Sequence, residues 1–276
     1  MKQTLVHSLR CKYSDTISCM LNTFYFALSC IYAKKSGFKI NLHTDKRGYR
    51  YLKELPYDEI WIDLEDLPNT KRCFAASKFK ALENEPLGVI HIDGDVFIKK
   101  PELAHILDFE DNDLIVQSLE ERGKFNYGWG WDRSAYVLSK CTYPEWTSKY
   151  LTCMFNNGVL GINNQKLKEE YLNTYWYMLD QYLEKGIDVD SVPDLIIEQG
   201  FLYDLTKARG YKVKYVLNSN RPYSSATEIG YQHLLGNAKL REFDTCKRTL
   251  FKESPEVYNY LKSAWGNEFP NLLNIF

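Results

Sequence analysis

Short apolar runs alternate with amphipathic stretches along most of the chain. Residues 4–9 form a first strand-like run, followed by the polar stretch Lys12-Tyr13-Ser14-Asp15. Ser14 or Asp15 can cap a helix opening near Thr16, and Gly37 ends it. A second strand is expected at 38–43, a helix at 46–55 and a third strand at 59–62. A helical run at 71–83 leads into 88–92, which is short, apolar and rich in β-branched residues and so reads as a buried strand. Another strand is expected at 113–117. An amphipathic helix follows at 165–185, and Pro193 opens a further one reaching about residue 208. Gly200 inside it points to a break or to close packing. After a late strand at 211–217, two helices, 240–251 and 256–265, are separated by Pro255. The apolar tail, 270–276, is expected to dock. Strands alternating with helices predict an α/β chain with a mostly parallel, helix-covered sheet.

Composition narrows the function classes. The chain has 276 residues and a formal net charge of -1 without blocks of like charge, which argues against duplex nucleic acid as a partner. Seven cysteines, an odd number without a Cys-x-x-Cys, fit buried thiols in a reducing, cytoplasmic setting. The N-terminus carries no apolar leader. The one long apolar stretch, 17–33, contains Asn22, Thr23 and several serines, and reads as a buried helix and not a membrane span. Twenty-one tyrosines and six tryptophans suit sugar or nucleobase contacts, although core packing explains aromatics more often. The loop 125–131, FNYGWGW, reads as a core plug or as a wall over a substrate.

The candidate chemistry begins at Asp93-Gly94-Asp95. In extended backbone the two carboxylates point to one side and repel unless a cation joins them, and Gly94 lets a ligand approach the main chain. A polar turn between two strands is the alternative, since Asp-Gly is a common turn pair. Both readings stay open on this stretch. Asn156-Asn157-Gly158, flanked by apolar residues, reads as a hairpin turn on its own. A lone His233 is more often structural than a ligand.

Four segments, in order, resemble those of the GT-A glycosyltransferases, most closely the family 8 retaining type. Asp93-Gly94-Asp95 is similar to the Asp-x-Asp that binds metal and the nucleotide-sugar diphosphate. Phe155-Asn156-Asn157-Gly158 resembles the family's Phe-Asn-(small)-Gly segment. Glu198-Gln199 is similar to an acidic-Gln pair beside the donor sugar. His233-x-x-Gly236-x-x-Lys239 resembles the third metal ligand with its diphosphate-binding glycine and lysine. Lys78 resembles the basic residue that precedes the Asp-x-Asp. The pattern departs at Glu198, where Asp is usual, at Asn157, Gly200 and Leu240.

The resemblance implies a GT-A type, Rossmann-like domain over residues 1–240 with a helical C-terminal extension at 241–276. It implies metal ligands Asp93, Asp95 and His233, and nucleotide-sugar contacts from Lys78, Asp93, Gly94, Gly236 and Lys239. Tyr13 and Asp45, on early strand ends, are expected near the nucleoside. Asn156, Glu198 and Gln199 are expected beside the donor sugar. The cofactor would be Mn²⁺ or Mg²⁺, the donor a UDP-sugar and the acceptor a glycan or other hydroxyl. The setting would be cytoplasmic, with peripheral contact to the inner membrane face left open. Such chemistry makes sense independently, because a cation offsets charge developing on a departing diphosphate. Two rivals are a non-catalytic nucleotide- or glycan-binding domain of this fold and a haloacid-dehalogenase-type phosphatase. The phosphatase motif wants Thr or Val two residues after the second Asp, where this chain has Phe97.

Overall fold

The computed structural model describes residues 3–12, 14–68, 74–122, 139–148, 151–186, 195–217, 228–236 and 238–270. Tyr13, the loop 125–131, Pro193 and the tail from residue 271 lie outside them. The chain divides into two compact units: residues 1–67, 92–106 and 226–276 form the first, and residues 68–91 and 107–225 the second.

In the first unit β1 (Thr4–Leu9), β2 (Lys39–Thr44) and β3 (Glu59–Ile62) pair in parallel, with Thr4 opposite Lys39 and Asn41 opposite Glu59. β1 and β2 are buried along almost their whole length, as parallel strands covered on both faces must be. α1 (Thr16–Lys35) starts at Asp15, whose carboxylate accepts from the Ser18 N–H at 2.8 Å. It stops at Gly37, where φ is +87°. By length and composition α1 could cross a bilayer, which is more than its sequence suggested, yet 67% of its apolar window is buried. α2 (Lys46–Leu52) is shorter than expected and is capped by Asp45. β5 (Val96–Ile98) pairs antiparallel with β9 (Tyr231–His233). A short helix, α4 (Leu103–Ile106), follows β5. Two long C-terminal helices, α7 (Ala238–Glu253) and α8 (Pro255–Glu268), join the same core. Trp265 of α8 stacks on Tyr51 with ring centres 3.9 Å apart and donates to Thr23 Oγ1 at 3.0 Å. Its indole N–H is thus satisfied inside the core, as burial of Trp requires.

In the second unit β6 (Leu114–Glu121) pairs antiparallel with β7 (Cys153–Ile162) and parallel with β8 (Val213–Tyr215). α3 (Ala76–Asn84) and α5 (Gln165–Glu184) meet through Phe79 and Tyr175, stacked 3.5 Å apart. β4 (Ile90–Ile92), whose last residue falls in the first unit, is shorter than the strand expected there, because Gly88 adopts a turn conformation with φ at +80°. The Asn156-Asn157-Gly158 hairpin does not form: these residues sit inside one continuous β7. The helix expected from Pro193 is, in its described part, a π-helical turn, Ile196–Phe201, continuing into α6 (Leu202–Arg209). Gly200 lies there because a Cβ would come within 2.6 Å of Leu151. The fold is mixed α/β, with mostly parallel strands flanked by helices.

Candidate active site

In the first unit the Asp-Gly-Asp forms a turn that brings two carboxylates close to one imidazole. β4 ends at Ile92, and the Val96 N–H donates back to the Asp93 carbonyl at 2.9 Å. β5 then runs beside β9, with Val96 opposite His233. The Leu234 N–H donates to the Asp95 carbonyl at 3.1 Å. This short ribbon carries His233 back across 138 residues of sequence to the two carboxylates. Asp93, Asp95 and His233 each offer a ligand atom, and these atoms lie within 4.8 Å of one another. Two carboxylate oxygens and one imidazole nitrogen form a donor set that could hold a divalent cation.

An imidazole and an ammonium flank Asp95. His233 Nε2 stands 3.6 Å from Asp95 Oδ1, and Lys239 Nζ stands 2.8 Å from Asp95 Oδ2. Burial would push the Asp95 carboxyl up, but the imidazole and the ammonium outweigh it and hold the group well below the usual carboxylate range. Neighbouring Tyr231 is driven the other way, first by burial and then by Asp93 and Asp95, so it stays a neutral phenol. Lys239 projects from the first turn of α7, and its backbone carbonyl accepts from the Tyr25 hydroxyl. Gly236 precedes it with φ at +54° and open space where a Cβ would be. Gly94 has a different neighbour: a Cβ there would lie 2.0 Å from the Phe26 ring of α1. Its bareness lets α1 press against the loop. Asp45 accepts from Gly48 N at 2.7 Å and from Lys12 N at 2.5 Å, so both its oxygens hold backbone at the start of α2.

The second unit holds Lys78, Asn156, Glu198 and Gln199, and two of these form a buried ion pair. Lys78 of α3 meets Glu198 Oε1 and donates to the Asn157 carbonyl at 2.8 Å. The side chains are 7% and 1% exposed. The Glu198 carbonyl in turn accepts from Asn157 Nδ2 at 2.7 Å and from the Tyr171 hydroxyl at 2.6 Å. Asn156 points to the other face of β7, as alternation demands. Its Nδ2 donates to Glu120 Oε1 at 2.7 Å, and its Oδ1 accepts from the Gly158 N–H at 3.0 Å. Gln199 is half-buried on the π-helical turn. Glu120 and Tyr171 escaped the sequence reading. Glu120 is buried in β6 at a position diagonal to Asn156 on the paired strand.

Residues 12–264 match the family described as "Family of unknown function (DUF6734)". The chain belongs to the DUF6734 family. No curated protein matches it. The DUF6734 chain is similar in structure to the galactosyltransferase LgtC in complex with donor and acceptor sugar analogs. That likeness has 13% identity, covers 77% of this chain and 73% of the other, and has a TM-score of 0.41. It is also similar to mouse xyloside xylosyltransferase 1 in its apo form, with 13% identity, 77% of each chain covered and a TM-score of 0.34.

Proposed function

We propose that the chain is a metal-dependent glycosyltransferase of the GT-A type, moving a sugar from a UDP-sugar to a glycan or other hydroxyl acceptor with retention. The observation that carries this reading is the meeting of Asp93, Asp95 and His233, with Lys239 against Asp95. These are the residues that the resemblance nominated from separate segments.

Asp93, Asp95 and His233 would hold the cation, which when bound offsets the negative charge on a departing nucleoside diphosphate. Lys239 adds a second positive charge on the Asp95 side, and Gly236 leaves room above its backbone for a phosphate. Asp95 stays ionised across the ordinary pH range, so its oxygens are available to a cation without losing a proton first. In the second unit, Asn156 and Gln199 are the proposed donors and acceptors for sugar hydroxyls. Glu120 and Gly158 fix the Asn156 amide, leaving its second N–H as the group to offer. Lys78 holds Glu198 in place. No side chain is assigned as a nucleophile.

Hydrolysis of a nucleotide sugar tests the proposal. With Mn²⁺ the chain should release UDP slowly without an acceptor, and Asp95→Ala should reduce release at least about a hundredfold by removing a metal ligand. Binding of a nucleotide sugar without release of UDP, across a panel of donors and acceptors, would favour a binding module.

A further inference from the structure

The first unit carries a second concave feature, built from α7 and α8. A cavity of about 410 Å³ is lined by Asp244, Lys247, Arg248, Phe251 and Tyr258. Asp244, Lys247, Arg248 and Phe251 are spaced by three and four residues, so they share one face of α7. Tyr258 enters from the first turn of α8. The Phe251 and Tyr258 rings meet edge to face, 5.3 Å apart at 74°. Tyr258 is braced from behind by Phe24, at 6.2 Å, whereas Phe251 keeps 51% of its surface exposed. Lys247 is committed to Asp244 at 2.9 Å and lies over the Phe243 ring at 5.0 Å. Arg248 is exposed and makes no ion pair with a described residue.

We propose that this cavity binds an anionic saccharide, with a pyranose face on Phe251 and the acidic substituent at Arg248. Its volume lies in the range of small-ligand sites. An exposed aromatic ring offers a flat apolar platform for the C–H face of a sugar. Asp244 supplies an acceptor for hydroxyls, and Arg248 supplies a planar set of donors that matches a carboxylate or phosphate. The three charges sum to one positive, which favours an acidic ligand over a neutral one. The Asp244 carboxylate on the same face opposes a flat anionic bilayer. The site shares no residue with the Asp93, Asp95 and His233 cluster.

Calorimetric titration of the full chain in excess chelator tests the site without involving the metal cluster. The probes are a glucuronate-containing disaccharide, a hexose phosphate, a neutral disaccharide, uridine monophosphate and inorganic phosphate. Binding of the glucuronate or phosphate sugar is expected, and whichever binds identifies the acidic group. Phe251→Ala and Arg248→Gln, both at exposed positions, should each weaken it about tenfold. The proposal is overturned if neither acidic sugar binds, or if both substitutions leave binding unchanged. It is also overturned if the neutral disaccharide, uridine monophosphate or phosphate alone binds as tightly.

Discussion

Lys78 and Glu198 form a buried ion pair in the second unit, where neither charge has water to fall back on. Removing one partner from a buried pair leaves the other uncompensated, at about 3–5 kcal/mol. Lys78→Met should therefore lower unfolding stability by about that amount in denaturant titration. Lys78→Met combined with Glu198→Gln should recover much of the loss. If the single variant is as stable as the parent, the pair does not stabilise the second unit. Sequence reading singled out both residues but not their pairing, because 120 positions separate them and only packing brings them together. Gly94 shows the same limit. Its place in Asp-Gly-Asp was legible, while the steric demand of Phe26 was not.

Among elements, β5 and β9 matter out of proportion to their three residues each. Their register delivers His233 to the carboxylates, and runs that short leave no periodic signature. The π-helical turn is likewise invisible to pattern, although Gly200 marked the place. β1, β2 and β3 matched the short apolar runs, and α5, α7 and α8 the amphipathic stretches, to within a few residues. One hydrogen-bond chain ties β1, α1 and β5. His7 of β1 bonds the Tyr57 hydroxyl at 2.9 Å and the Ser29 hydroxyl of α1 at 3.1 Å, and Ser29 donates to the Val96 carbonyl of β5 at 2.5 Å. Burial drives the His7 pKa down to about 3, against a smaller opposing pull from Asp95. The unfolded chain takes up a proton near pH 6.5 that the folded chain refuses. This stabilisation is complete above pH 6.5 and is lost as pH falls toward 3. His7→Gln keeps hydrogen-bonding atoms but cannot titrate, so its Tm should fall less between pH 6.5 and 4 than that of the parent. Equal slopes would show that His7 does not set the acid limit.

At the scale of the molecule, the α/β class was legible because buried parallel strands read as short continuous apolar runs and the helices between them as amphipathic stretches. The interleaving of the two compact units was not, since each gathers segments distant in sequence. The sequence order of the candidate motifs says little about which unit holds each one. Asp93, Asp95, His233, Gly236 and Lys239 all belong to the first, and Lys78, Asn156, Glu198 and Gln199 to the second. Under the proposed function, the first of these groups binds a nucleoside diphosphate through a shared cation. Thermal unfolding with UDP, in the presence and absence of Mn²⁺ or Mg²⁺, tests it most directly. UDP should raise Tm only with the metal, and His233→Ala should weaken that rise. A rise of the same size in chelator, or no rise with either metal, would contradict it.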